Sequence, residues 1–195
     1  MTAFPDIAFT PAVIELQTRK GARARDQWLA DTWPVFDGLT PDEVEHITGR
    51  DSFYLATVSE TGWPYVQHRG GATGFVAVLD AVTIGWLERT GNRQYIGTGN
   101  LTANGRVAAI FMDYPNRSRL KIYGHATYHA EPPTLFTDAI VGSVPRADGA
   151  VTVHIAATSW NCAKYITPRY TDEDVRRLTQ PLRDQIADLQ SQVKN

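Results

Sequence analysis

Trp63-Pro64-Tyr65-Val66-Gln67-His68-Arg69-Gly70-Gly71, then Phe75-Val76-Ala77-Val78-Leu79-Asp80-Ala81-Val82-Thr83-Ile84-Gly85-Trp86-Leu87, then Gly91-Asn92-Arg93-Gln94-Tyr95-Ile96-Gly97-Thr98-Gly99-Asn100: on this stretch the fold turns. Two apolar segments, Phe75 to Leu79 and Val82 to Leu87, meet at Asp80-Ala81 and predict a hairpin. Polar, Gly-rich segments flank them, with Arg69 before a glycine pair and Arg93 before Gly97-Thr98-Gly99-Asn100. Glycine lets a backbone approach a phosphate closely enough to present its N–H groups, and a neighbouring guanidinium forks onto the oxygens. The same pattern also describes ordinary hairpin loops with solvated arginines, and the residues alone leave both readings open.

Outward from this stretch the grammar is that of strands. Phe53 to Val58 is β-branched and aromatic, and Glu60-Thr61-Gly62 turns it back into Pro64 to His68. Arg106 to Met112 and Leu120 to Tyr128 predict two more strands joined at Asp113-Tyr114-Pro115-Asn116, and Val151 to Ala157 a last one. Asn92 to Asn104 reads as a short helix, as does the segment from Pro132-Pro133 through Leu135, Phe136 and Ile140. Six or seven short strands separated by turn signals predict a small antiparallel barrel.

Helices are expected on both sides of the barrel. Thr10-Pro11 starts one that ends near Lys20-Gly21, and a second piece carries Arg23, Arg25 and Trp28, its arginines read as a solvated face. Thr40-Pro41-Asp42-Glu43 has the spacing of a capping box and opens a helix running to about Gly49. At the other end, Thr171-Asp172-Glu173-Asp174 caps a helix with apolar positions Val175, Leu178, Leu182, Ile186, Leu189 and Val193. That seam fits docking on the protein's own barrel or pairing with another chain, and Pro181 is expected to interrupt it, leaving the first turn kinked or separate. The domain reading is a helical extension over 1–49, a barrel over 50–170 and a C-terminal helix over 171–195.

The 195 residues are 43% hydrophobic and 21% charged, enough to bury a core, and the formal net charge of −2 offers no electrostatic case for nucleic acid or an anionic membrane. Any anion site must be local. The single cysteine, Cys162, excludes an internal disulfide and a Cys-rich zinc site. No basic-then-apolar leader and no membrane-length apolar run is present, so the expectation is a cytoplasmic protein. His125, His129 and His154 lack a carboxylate or cysteine at metal-ligand spacing, and no metal is expected. There is no nucleophile elbow and no P-loop.

Taken in order, Phe53-Tyr54-Leu55-Ala56-Thr57, Gly62 to Gly71, Gly91-Asn92-Arg93-Gln94-Tyr95, Gly99-Asn100-Leu101, Arg106-Val107-Ala108 and Leu120-Lys121-Ile122-Tyr123-Gly124 resemble the pyridoxamine 5′-phosphate oxidase-like, FMN-binding split-barrel family. Trp160-Asn161-Cys162, Lys164-Tyr165-Ile166 and Pro168-Arg169 resemble the C-terminal signature of a bacterial branch of it. The resemblance covers roughly residues 50–170. It implies an α+β chain built on a six-stranded antiparallel FMN-binding split barrel that forms a homodimer with two flavin sites at the subunit interface. It further implies that Gln67, His68, Arg69 and Gly70 run along the flavin. Arg93 and Gln94 match the pair that grips the FMN phosphate, with Thr98 an extra donor. Arg119 falls where the oxidases place a flavin-contacting glutamine, Trp160 where a tryptophan reaches over from the partner, and Arg169 where a later arginine contacts the flavin; Asn161 and Lys164 accompany them.

Two departures limit the resemblance. Ala72 stands where the true oxidases carry a lysine for the substrate's phosphate, and Asn161-Cys162-Ala163-Lys164 replaces their substrate-binding Arg-x-His element. Flavin binding without pyridoxamine phosphate oxidation is therefore expected. Gln94 for lysine also removes one charge from the phosphate grip, which is then either weaker than the family's best or completed by Arg69 or Arg119. Two classes of function remain open: an FMN-dependent oxidoreductase acting on a small molecule, in which the cofactor performs the electron chemistry, and a non-catalytic flavin-binding, storage or sensing module. A deazaflavin in place of FMN is a further variant; haem is disfavoured because no histidine stands out as an axial ligand.

Overall fold

The computed structural model describes residues 2–136, 147–160 and 163–193, which fall into two compact units, one of 1–112 with 119–161 and one of 113–118 with 162–195. In the first, side chains from Ser52 onward alternate between an interior and an outer face. Phe53, Leu55 and Thr57 are buried while Tyr54 is exposed, and the strand that follows repeats the alternation. Seven strands result: β1 Ser52–Val58, β2 Pro64–Gly70, β3 Ala77–Asp80, β4 Thr83–Arg89, β5 Arg106–Asp113, β6 Ser118–His129 and β7 Ala147–Trp160. They form one sheet in the order β2-β1-β5-β6-β7-β4-β3. Gly62, at φ 84, makes the β1–β2 turn, and the register sets Tyr54 opposite His68 and Leu55 opposite Gln67.

This is the split-barrel fold with one strand more than the six that the resemblance implies. The hairpin predicted across Asp80-Ala81 supplies β3, four residues long and paired with β4 at the end of the sheet, and the seven strands match the upper count read from the residues. The last strand outruns its expected limits of Val151 to Ala157 because β6 offers partners from Leu120 to His129, and Trp160 and Ala150 are the residues opposite those ends. Inside, Phe53 stacks on Phe111 at 4.7 Å between ring centroids and meets Trp86 edge-on at 5.0 Å. Ile47, Leu55, Ile84, Leu120, Ile122, Val151 and Val153 complete the interior.

Four helices precede the sheet: α1 Phe4–Ala8, α2 Pro11–Arg19, α3 Arg23–Thr32 and α4 Pro41–Thr48. The short α1 is absent from the sequence reading. A five-residue helix has no stability of its own, and this one is held by packing: the Phe4 ring stacks on Tyr123 of β6 at 5.2 Å. Thr10 makes no side-chain cap, so Pro11 alone marks the start of α2. Thr40 does cap α4. Its hydroxyl accepts from the Glu43 N–H at 3.3 Å while the Glu43 carboxylate accepts from the Thr40 N–H at 2.9 Å. Thr40→Ala is expected to cost about 1 kcal/mol, read as a lower urea midpoint at unchanged slope.

The helix predicted over Asn92 to Asn104 is shorter, α5 Ile96–Ala103. Arg93 and Tyr95 take φ 59° and 51°, the left-handed region that a right-handed helix cannot contain, and the Gln94 N–H donates to Asn92 Oδ1 at 3.1 Å to hold the turn. Residues 131–136 form bends and a turn where a helix is predicted; the remainder of that prediction lies outside the described residues.

In the second unit the Arg169 guanidinium lies over the Tyr114 ring at 4.9 Å, and the final helix is α6 Asp172–Val193. Thr171 and Asp174 form its capping box. The helix passes through Pro181 without ending, since proline's fixed φ suits a helix and costs it one hydrogen bond. Val175, Leu178, Leu182, Ile186 and Leu189 are all exposed.

Candidate functional site

The two ends of the sheet order come back together. Arg69 of β2, one end strand, donates from Nη1 to Glu88 Oε2 of β4, next to the other end, at 2.6 Å. The second Glu88 oxygen accepts from Trp86 Nε1 at 2.7 Å. Both ion-pair partners are largely withdrawn from water, the side chains being 15% and 7% exposed. The pair is a strut across the split of the barrel, and it compensates the charge of Arg69.

Above this strut lies a cavity of about 260 Å³, walled by Tyr65, Gln67 and Arg69 on one side and by Glu88, Arg89 and the 91–98 loop on the other. Strand alternation explains the first wall: Gln67 and Arg69 share a face of β2, while His68 is exposed on the other face with its ring edge-on to Tyr54. The left-handed turns at Arg93 and Tyr95 carry the loop past the cavity before α5 starts. The cavity is lined by three arginines, Arg69, Arg89 and Arg93, against two carboxylates, Glu88 and Asp148. Two buried atoms of this wall, Gln67 Oε1 and Arg69 Nε, have no hydrogen-bond partner. A buried polar atom without a partner is costly, so both suit a ligand that completes their bonds. At Gly97 a Cβ would stand 2.8 Å from Gln67 Oε1 and 3.4 Å from Arg69 Nη2, so glycine is what lets α5 approach this wall.

Of the residues singled out from sequence, the structure gathers Gln67, Arg69, Arg93, Gln94 and Thr98 around this cavity. His68 and Gly70 lie on the opposite face of β2 from Gln67 and Arg69. Arg119 sits on β6, with its buried Nε unpartnered, and burial followed by the Arg119 charge lowers the pKa of Lys121 from its ordinary value. Trp160, at the end of β7, packs edge-on against His46 at 4.8 Å. Asn161 lies outside the described residues, and Lys164 and Arg169 belong to the second unit.

Glu88 is the main residue that sequence reasoning passed over. Its signal was a carboxylate closing the apolar run Val82 to Leu87, within reach of an arginine only if the sheet curls. Asp148, which accepts from the Thr90 hydroxyl at 2.7 Å, carried no readable motif. Among the described residues no group of three His, Cys, Asp or Glu side chains could hold a metal ion, and no helix is long and apolar enough to cross a membrane.

Comparison with known proteins agrees with this architecture. A family model for pyridoxamine 5′-phosphate oxidase matches residues 39–160. Among solved structures, HupZ of Group A Streptococcus is 16% identical, the match covering 68% of this chain and 100% of that one at a TM-score of 0.52. An FMN-binding protein from Syntrophomonas wolfei is 13% identical over 71% of this chain and 95% of that one, at 0.47. The haem storage protein HutZ from Vibrio cholerae is 18% identical over 64% and 94%, at 0.44. At 16% identity and a TM-score of 0.52 the likeness to HupZ is one of fold alone. No curated protein matches the chain. The family match begins just before α4, takes in every strand of the sheet and ends at Trp160, and on that span, well over half of its length, the chain belongs to the pyridoxamine 5′-phosphate oxidase-like split-barrel family.

Proposed function

We propose that the protein binds FMN and is a cytoplasmic FMN-dependent oxidoreductase acting on a small molecule. The observation that carries this is the cavity in the split: net cationic, with Gln67 Oε1 and Arg69 Nε buried and unpartnered on its wall. Those residues fit the cofactor. Arg93, Gln94 and Thr98 hold its phosphate, Arg89 adds charge, and Gln67 offers an acceptor to its polar edge. Arg69 orients this wall; with Glu88 on its Nη1, it adds little net charge. A bound flavin supplies hydride transfer between a donor and an acceptor, and the surrounding side chains orient it and tune its potential. Ala72 and the lost Arg-x-His element argue against pyridoxamine phosphate as the substrate.

The site is completed across a homodimer. At about 260 Å³ the cavity is smaller than the roughly 300–1,000 Å³ of complete ligand sites, so it accommodates one end of a flavin. The outer face of the sheet supports a second copy as the other half: Val66 is 63% exposed, and an apolar hollow of about 460 Å³ lies among Ala56, Ala108 and Tyr123. On this reading His68, Gly70, Arg119 and Trp160 serve the flavin from this outer face or from the partner, while for Asn161, Lys164 and Arg169 the reading rests on the resemblance alone. Arg119 beside Lys121 places two cations together, a setting that favours an anionic group.

The visible absorption spectrum of the purified protein, with chromatography of what heat releases, tests the proposal. FMN is the expected release; a deazaflavin would replace the cofactor, and a colourless protein that takes up no added FMN would overturn the reading. Steady-state oxidation of a reduced nicotinamide by the holoprotein separates an oxidoreductase from a storage module. Mixed dimers of Arg93→Ala and Trp160→Ala chains are expected to retain one good site, whereas two impaired sites would contradict sharing. Gly97→Ala is expected to weaken FMN binding several-fold at nearly unchanged melting temperature, because the new methyl displaces only the flexible end of Gln67.

A further inference from the structure

A second cavity, of about 400 Å³, lies between the N-terminal helices and the end of β7 and shares no lining residue with the cavity in the split. Its walls are aromatic: Trp28 of α3, Trp33 and Phe36 of the α3–α4 connection, and Trp160 of β7. Trp28 is 63% and Trp160 41% exposed, so large ring faces are left to water instead of being spent on the core. Trp160 and Trp33 are nonetheless braced. The ring of His46 holds Trp160 edge-on, with His46 Nε2 itself 3.1 Å from the Phe111 carbonyl, and Phe4 braces Trp33 at 5.8 Å. The charged side chains among the described lining residues are the exposed Asp37 and the buried Glu43, whose carboxylate accepts from the Thr40 N–H and hydroxyl; Lys121 stands outside the lining, 5.3 Å from the Phe4 ring. Its electrostatic character is thus opposite to that of the arginine-lined cavity.

From this juxtaposition we infer that the second cavity is a binding site for a planar aromatic small molecule that is neutral or cationic. Ring faces stack on planar π-systems and attract cations, and acidic walls repel anions. The volume lies within the range of small-ligand sites. Trp160 is common to this cavity and to the flavin reading, whereas Trp28, Trp33 and Asp37 line this cavity and not the one in the split, so variants there separate the two.

Calorimetric titration of the full-length protein with three naphthalene probes of like shape tests it: 2-naphthylmethylammonium, 2-naphthalenemethanol and naphthalene-2-sulfonate. The ammonium and the alcohol are expected to bind and the sulfonate to bind at least tenfold more weakly. Trp28→Ala, a change at an exposed ring, is expected to weaken the first two about tenfold and leave FMN binding unchanged. Asp37→Asn is expected to narrow the ammonium's advantage over the alcohol. Arg93→Ala supplies the control that separates the two readings, weakening FMN binding at least tenfold and retaining the naphthyl probes. Equal affinities for all three probes, no saturable binding of any, or indifference to Trp28→Ala would overturn the inference.

Discussion

Glu88→Ala is expected to remove about 3–5 kcal/mol of folding stability, among the largest effects of any single side chain in the sheet. The substitution strips Arg69 Nη1 of its carboxylate and Trp86 Nε1 of its acceptor at once, in a setting where both ion-pair side chains are nearly out of water. An uncompensated guanidinium is then left largely buried, its remaining exposure being to the cavity it lines. For a domain of this size the loss corresponds to a fall of roughly 10 °C in melting temperature. Glu88→Gln retains an acceptor for the indole and loses less. Combining it with Arg69→Met is expected to recover most of the deficit, because no unpaired charge remains. Chemical denaturation of the four proteins measures this; a Glu88→Ala variant within 1 kcal/mol of the parent would mean that the strut does not hold the sheet ends.

Arg93→Gly is expected to weaken FMN binding by about ten- to a hundredfold, the worth of a charge-assisted hydrogen bond, at little cost to folding. Two features of Arg93 make this separation of effects possible. Its side chain is exposed, and its φ of 59° is one that glycine adopts freely. A left-handed arginine costs about 1–2 kcal/mol relative to an ordinary conformation, which offsets the flexibility that glycine adds to the unfolded chain. Fluorescence titration of flavin against melting temperature in the same variant checks both halves. A parallel loss of stability would assign Arg93 to the fold and not to the ligand.

These two residues also mark the boundary of what the sequence discloses. Alternation along Phe53 to Val58 and Arg106 to Met112 is a property of neighbouring residues, and the strands there are where periodicity puts them. The capping box at Thr40 and Glu43 is likewise local and legible. The sign of φ at Arg93 and Tyr95 is not, because neither is a glycine; Gly91-Asn92 is the one local hint of a turn, and a helix read from Asn92 begins too early. Five residues of α1 depend on the Tyr123 ring far along the chain. Glu88 stands 19 residues from Arg69, and the two meet only because a seven-stranded sheet curls until its ends face each other. Side chains assigned to a flavin by resemblance divide in the structure in the same way. Gln67 and Arg69, on one face of β2, line the cavity, and His68 is on the other face, a division that alternation predicts once the strand is known.

The most direct test of a phosphate-reading cavity in the split is a side-by-side titration of the flavin-free protein with FMN and with riboflavin, which share a ring and a ribityl chain and differ in the phosphate. FMN is expected to bind at least a hundredfold more tightly, with the advantage collapsing in Arg93→Gly. Equal affinity for the two flavins would contradict the assignment of the arginine-lined cavity to the phosphate.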